Sequence, residues 1–456
     1  MENAMQKPLM AVLIASAFFS VNAQAADLIQ VYQQALANDA AFASARAALA
    51  AGMERVPQGR SALLPTVGLN GSIVKNDGES TPWNVGQTVT LANGSRALVT
   101  TGGANERTTT HTLSLTQPLF RWANWQSYEQ SKLQQAQAEA QFAQAQQDLI
   151  TRVSQAYFDV LAAQDTLELS RAQKTATTEQ LASAKRNFEV GTQTITDTHE
   201  AQAAYDLVVA QEFAAINDLE NKRSALQAII GSAPTGLATL KPGVSLAAPE
   251  PAVIDPWVTS AESQNYGVVG AQLGYELSKR EIQKSRAGHY PTLDLTANIS
   301  RQNVTGQTQQ SGRNDNKGIG IAYNVPIFNG FAVTSRVRET IALEDKARND
   351  LEATRRNAAN VARQAFLGVN SGLAQVRALQ AAEVSGNSAL ESNKLGYQVG
   401  VRINIDVLNA QRQLYSTRRD LSRARYDTIL NGLRLKSAAG SLREADLVPV
   451  NDLLIK

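Results

Sequence analysis

The chain has no cysteine in 456 residues. That excludes disulfides, thiolate-held metals and a lipidated N-terminal cysteine together. Histidine occurs only as His111, His199 and His289, with no metal-ligand spacing among them. Aromatics make up 6% of the chain, while Ala and Gln dominate long stretches, a composition of long helices more than of one thick core. Neither charge sign prevails: 43 basic against 41 acidic residues give a net +2, a balance that suggests neither a nucleic-acid surface nor a polybasic membrane patch. There is no G-x-S-x-G elbow and no phosphate loop with a following Lys-Ser/Thr, and the scattered acids read as solvated helix faces. No catalytic residue, cofactor or metal is therefore expected, and the chain reads as a non-enzyme.

Long apolar runs are also lacking. Beyond the N-terminus no stretch of about 20 apolar residues could span a bilayer as a helix. At the N-terminus, Lys7 precedes an apolar run from Leu9 to Phe19, and Ala23-Gln24-Ala25 offers small residues for cleavage. Residues 1–25 are expected to be a signal peptide, with Ala26 the mature start. An exported chain of this kind enters a membrane, if at all, by strands.

What is present is a repeat. Phe188-Glu189-Val190-Gly191, Asp197, Ala201-Gln202 and Gly231 match Tyr397-Gln398-Val399-Gly400, Asp406, Ala410-Gln411 and Gly440 at an offset of 209. Upstream, Gln117-Pro118-Leu119-Phe120 matches Val325-Pro326-Ile327-Phe328 at 208, and Leu64-Pro65-Thr66 matches Tyr290-Pro291-Thr292 at 226. A unit of about 200 residues is a duplicated half-molecule, not a solenoid repeat. The expected division is a first repeat over 26–231, a linker over 232–254, a second repeat over 255–440 and a C-terminal segment over 441–456. Each repeat would run helix, strand pair, long helical hairpin.

Two strands per repeat follow from alternation. Val67, Leu69 and Ile73 alternate with Thr66, Gly68, Asn70 and Ser72; Leu113 and Leu115 alternate with Thr112, Ser114 and Thr116. In the second copy Leu293, Leu295, Ala297 and Ile299, then Ile319, Ile321, Tyr323 and Val325, do the same. A period of two puts one set on each face of a sheet. Small polar residues on one face and aliphatic ones on the other suit a wet lumen and a lipid exterior. An amphipathic soluble sheet on a helical core has the same pattern; the signal peptide and the aromatics Phe120, Trp122, Trp125, Tyr290, Phe328 and Phe331, placed for an interfacial girdle, favour the membrane. Four strands cannot close a barrel and open edges are not tolerated in lipid, so oligomerisation is implied. Residues from Lys75 to Thr109 and from Arg301 to Lys317 read as outer solvent loops.

Residues Ala123 to Phe188 and Ala332 to Tyr397 contain no proline, and each as one helix measures on the order of 100 Å. The returning helix of the second copy has a seam of Val407, Leu414, Leu421, Thr428 and Leu435, with Ala410, Thr417, Ala424, Asn431 and Ala438 three positions on. This large-against-small stripe is that of a coiled coil. Gly191 and Gly400, each after a Val, are placed to end the descending helices in the left-handed region and mark the hairpin tips.

The signal peptide, the strands entered through Leu-Pro-Thr and Tyr-Pro-Thr, the Gln-Pro-Leu-Phe and Val-Pro-Ile-Phe exits, and the Val-Gly turns before Thr196-Asp197 and Ile405-Asp406 resemble the TolC family of outer-membrane channel proteins over essentially the whole mature chain. The resemblance implies an α+β membrane protein. Three chains would give four strands each to a 12-stranded barrel, continued into the periplasm of a Gram-negative bacterium by a barrel of long helices, with the linker and C-terminal segment at its equator. It implies partners: two further copies of the chain, outer-membrane lipid, a periplasmic adaptor (membrane fusion protein) and an inner-membrane ABC or proton-driven transporter. The function implied is a passive exit duct for proteins or small molecules in efflux or type I secretion. Lacking an N-terminal cysteine, the chain is similar to the non-lipidated branch, which includes protein-secretion ducts. The competing reading is a non-channel periplasmic coiled-coil adaptor or structural protein.

In the family, polar bonds between the two hairpins hold the periplasmic tip shut, and the residues that match here are Tyr397, Arg402, Thr196 and Asp197. The expectation is that the Tyr397 hydroxyl and the Arg402 guanidinium converge on one carboxylate, and that the tip opens by outward realignment of the second hairpin as those bonds break. Asp197 and Asp406 also stand where a helix N-terminus favours aspartate. The family's acidic ring at the pore entrance matches Asp406, but its second acidic position is Asn409, which weakens any carried-over cation preference.

Overall fold

The computed structural model describes residues 25–80, 86–90, 92, 94–98, 102–234, 236–306 and 312–455. The expected signal peptide lies outside the described residues, apart from Ala25 at its end. Three helices, α1 (Leu28–Asn38), α2 (Ala40–Met53) and α3 (Arg55–Ser61), lead to strand β1 (Thr66–Ser80). A short hairpin, β2 (Thr88–Thr90) and β3 (Arg96–Leu98), precedes β4 (Gly102–Phe120), α4 (Trp122–Glu189) and α5 (Ile195–Ile230). After the linker come α6 (Asp255–Gln264), α7 (Tyr266–Arg286), β5 (Thr292–Gly306), β6 (Gly312–Asn324), α8 (Ala332–Gln398) and α9 (Asn404–Ala438), and α10 (Leu447–Asn451) follows near the C-terminus.

The long helices start and stop where local chemistry dictates. α4 has 68 residues and α8 has 67, and each ends one residue before a Val-Gly turn. Gly191 has φ 76° and Gly400 φ 80°, the left-handed conformation that costs a side-chain-bearing residue about 1 kcal/mol or more. α5 begins with a capping box in which Thr194 and Asp197 satisfy each other's backbone N–H. No described helix is long and apolar enough to cross a membrane.

The four long strands form one antiparallel sheet in the order β1-β4-β5-β6. Its rows are continuous: Val67 faces Leu115, Leu115 faces Ala297 and Ala297 faces Ile319. The aliphatic face is uncovered, with Leu69 73% and Ile319 79% exposed. Among the described residues no helix packs on it. The strands reach farther than expected: β1 runs on to Ser80 and β4 begins at Gly102, while β5 and β6 extend to Gly306 and from Gly312. The expected outer loops are correspondingly shorter. Antiparallel pairing satisfies backbone groups whatever the side chains, so the polar outer stretches pair as readily as the aliphatic ones.

The largest core lies where the helical hairpins meet the linker. Leu28, Tyr157, Phe158, Leu226, Ile230, Leu447 and Leu454 are almost fully buried there. The Tyr157 hydroxyl donates to the carbonyls of Ala238 (2.7 Å) and Ala26 (3.2 Å), so one side chain on α4 fixes both the linker and the chain start. Ala26 pairs with Leu237, and Leu240 with Leu454. In α9, all five large seam residues are buried, as are Thr417, Ala424 and Ala438 of the small set.

Candidate functional site

The two hairpin tips lie side by side, and a small core joins them. Leu181 and Ala184 of α4, Ala201 of α5 and Leu408 of α9 are buried against one another, with Tyr205 and Ile405 packed alongside. Above it, Leu390, Val407 and Leu414 form a second cluster against which Tyr397 lies. The first cluster holds the second hairpin on the first, and the second packs α8 against α9 within the second hairpin.

Polar bonds cross the same seam. The Tyr397 hydroxyl donates to Oε1 of Gln193 at 2.7 Å, and the Asn187 amide reaches that hydroxyl at 3.4 Å. Asn404, with no exposed surface, donates from Nδ2 to the carbonyl of Asp197 at 3.0 Å and accepts from Nε2 of Gln180 at 2.6 Å. An asparagine so enclosed must be satisfied, and both partners belong to the first hairpin. Gln193, Asn187, Gln180 and Asn404 escaped sequence reasoning. Asn404 lies beside the seam, which continues back from Val407 to Ile403, so the periodicity gave no signal for it.

The expected convergence on one carboxylate is not formed within a single chain. The Asp197 carboxylate accepts from the backbone N–H (3.1 Å) and hydroxyl (2.8 Å) of Thr194, its own capping partner. Both bonds fall on Oδ2, so local capping holds the carboxylate at the start of its own helix. Thr196 is exposed and turned to solvent. Arg402 instead approaches Asp406 at 3.6 Å, one helical turn along α9. The residue matched to the gate and the residue matched to the ring therefore form an ion pair, which draws on the charge of the ring position. Asn409 is exposed one turn farther on.

Midway along the helices a second link joins α4 to α9. The Tyr426 hydroxyl donates to Oδ2 of Asp165 at 2.8 Å. Burial pushes the Asp165 carboxyl above the usual carboxylate range, with Glu168 adding to the rise, while bonds from Tyr426 and Ser422 and the charge of Arg425 offset part of it. Burial likewise raises the Tyr426 hydroxyl, so the pair shares one proton-bearing bond across the hairpins. No cluster of metal-ligating residues occurs among the described residues.

A family described as outer membrane efflux protein matches residues 31–232 and 257–441, two spans separated by the linker. The chain is 34% identical over 435 residues to Outer membrane protein TolC of Vibrio cholerae, covering 94% of this chain and 93% of that one. It is 31% identical over 439 residues to the Proteases secretion protein PrtF of Dickeya chrysanthemi, covering 94% and 91%. Its fold matches the crystal structure of the outer membrane protein VceC from Vibrio cholerae with a TM-score of 0.75 at 20% identity, over 91% of this chain and 96% of that chain. With both repeats matched and relatives above 30% identity along nearly the whole length, the chain belongs to the outer membrane efflux protein family.

Proposed function

We propose that three copies of this chain close one 12-stranded barrel in the outer membrane and one helical barrel below it, forming a duct gated at its periplasmic tip. The observation that carries this is the open four-stranded sheet. Its edges, β1 and β6, have no partner strand among the described residues, and its aliphatic face is bare. In lipid an unpaired edge is untenable, and closure by further copies removes all of them at once. The half-molecules are residues 26–231 and 255–440, joined by 232–254 and closed by 441–456 at the equator.

The chain is an outer-membrane exit duct for efflux or secretion, and its own chemistry is passive. It performs no reaction. Energy would come from an inner-membrane ABC or proton-driven transporter, joined to the tip by a periplasmic adaptor. The resting tip is nearly closed. Opening swings the second hairpin outward, which breaks the Tyr397–Gln193 and Asn404–Asp197 bonds, while Arg402 and Asp197 meet across neighbouring chains. Each bond is modest, about 0.5–1.5 kcal/mol, so the gate can yield to a docking partner. Asp406 supplies one ring of three carboxylates, each beside its own Arg402, and Asn409 supplies none; the cation preference is accordingly weak.

The test is single-channel conductance of the mature protein in planar bilayers, wild type against Tyr397→Phe with Arg402→Ser. A small wild-type conductance and a several-fold larger one in the variant is the expected result. Equal conductances would leave the duct and remove these two residues from gating. Failure of both proteins to insert would overturn the duct in favour of a periplasmic adaptor.

A further inference from the structure

The outward face of the sheet changes character two-thirds of the way up. Its lower rows are aliphatic: Leu293 beside Tyr323, then Val67, Leu115, Ala297 and Ile319. Lys317 appears in the next row, opposite Ile299. Above it His111, Arg301 and Asp315 share a row, then Arg313 faces Asn303, then Lys75 faces Arg107. Successive opposite residues in antiparallel strands share a face, so these groups stand on the same side as the bare aliphatic band. Within these rows five cations, Lys75, Arg107, Arg301, Arg313 and Lys317, meet one carboxylate, Asp315, and Asp77 in the row above pairs with Lys75 at 3.0 Å. Asp315 is bonded to both Arg301 and Arg313, and neither Arg107 nor Lys317 forms an ion pair among the described residues. The opposite face carries no comparable cluster: Asn70, Thr112, Ser300 and Asn316 occupy the matching rows.

Depth locates the cluster. Eight residues separate Leu293 from Arg301, about 27 Å along the strand and about 20 Å vertically at a usual barrel tilt. That approaches the height of the apolar band of an outer-membrane barrel, so Arg301 and the cations above it stand near the outer headgroups, and Lys317, one row lower, reaches them by extending its side chain upward. Just below them, a groove of 450 Å³ runs over the small Ala297, walled by Val67, Leu115, Leu113, Ile299 and Ile319, with Lys317 at its upper end. Ala297 is flanked by Leu115 and Ile319 in its row, and the missing bulk makes the trough.

We propose that this face is a binding site for a phosphorylated glycolipid of the outer leaflet, one phosphate held by Arg301 and Lys317, a second, four residues farther along the strands, by Arg107, and one acyl chain lying in the groove over Ala297. The inference rests on the duct reading, since it needs this face turned to lipid. Charge complementarity selects the occupant: Arg107 and Lys317 have no balancing carboxylate among the described residues and Arg301 shares Asp315 with Arg313, a surplus of cations that suits phosphate, and a groove beneath them suits a chain covalently joined to that phosphate-bearing head.

The mature protein is reconstituted into phosphatidylcholine nanodiscs doped with bis-phosphorylated lipid A or with its dephosphorylated form, and lipid A retained per protein after washing is counted. Wild type is expected to retain the phosphorylated form preferentially. Arg107→Gln with Arg301→Gln and Lys317→Gln should lower that retention by at least about tenfold, since each cation near an anionic surface is worth roughly a factor of five. A charge-matched control on α8, Arg348→Gln with Arg356→Gln and Lys394→Gln, should change nothing. If the triple variant does not assemble, Lys317→Gln and Arg107→Gln singly carry the comparison at about fivefold each. Equal retention of the two lipids by wild type, or equal losses in the cluster and control variants, would overturn the site. Conductance of the same preparations separates the two failures: conducting pores without lipid preference sink only this inference, whereas absence of pores sinks the duct beneath it.

Discussion

Asp165 is the residue whose environment has the clearest consequence in solution. Its carboxyl, raised by burial, faces the Tyr426 hydroxyl, Ser422 and Arg425 on α9 and Glu168 on its own helix. The folded chain therefore holds the Asp165 proton to a higher pH than the unfolded chain does. The stability this confers is fully present below the ordinary carboxylate pKa and is lost as pH rises through the raised one. Asp165→Asn keeps an acceptor for Tyr426 and removes the buried charge. Thermal dissociation followed from pH 4 to 7.5 should show the variant about 1–2 °C more stable at pH 7.5 and equal to wild type near pH 4. A variant less stable than wild type at pH 7.5 would mean that the charge strengthens the Tyr426 bond by more than its burial costs. At this scale sequence reading had its narrowest reach. Tyr397 was pointed to by the family resemblance, but its acceptor Gln193 was not, because a hydrogen-bond partner 204 positions away is set by how two hairpins meet.

Among elements, the four glycines that end the repeated helices share a backbone conformation and differ in what surrounds it. Gly191 has φ 76° with open space where a Cβ would stand. Gly440 has φ 74°, but a Cβ there would lie 2.2 Å from the carbonyl oxygen of Gln264, at the junction of α6 and α7. That junction is fastened to the end of α9 by Ser260 and Asn265, which donate to the carbonyls of Ala439 and Ala438. Alanine at 191 should cost only the left-handed backbone penalty, about 1–2 kcal/mol, whereas alanine at 440 must also displace backbone, for more than about 3 kcal/mol. Heat-induced dissociation should accordingly shift far more for Gly440→Ala than for Gly191→Ala, and similar shifts would refute the packing argument. Helix ends were readable because glycine and capping residues act locally. Strand ends were not: beyond Lys75 and before Thr109 the side chains turn polar, yet the ladder continues, since its bonds are made by backbone groups that composition does not report.

For the whole molecule the decisive quantity is the distance between β1 and β6. Within one chain two strands stand between them, so they are three strand spacings apart, about 14 Å. A disulfide needs Cα atoms within about 7 Å. Cysteines introduced in pairs, one at Val67 or Leu69 and one at Ile319 or Ile321, therefore cannot join within a chain, and the chain's lack of native cysteine leaves no background. Oxidation of the assembled protein should give covalent trimers for the pairs in register. Monomers alone, across the whole set of pairs, would contradict barrel closure by neighbouring copies.

The elements and their kind follow from local and periodic properties, written where they act: the duplication, the period-two strands, the proline-free helices, the glycine turns and the seam of α9. The same properties also imply that the sheet could not be complete in one chain, because strand number is a count. The tertiary structure alone decided which groups meet. It turned Asp197 toward Thr194, set Arg402 beside Asp406, enclosed Asn404 between the hairpins and lined up five cations from four strands above a trough at Ala297. Those outcomes depend on register and on the angle at which elements far apart in the chain pack, and neither is encoded within any single segment.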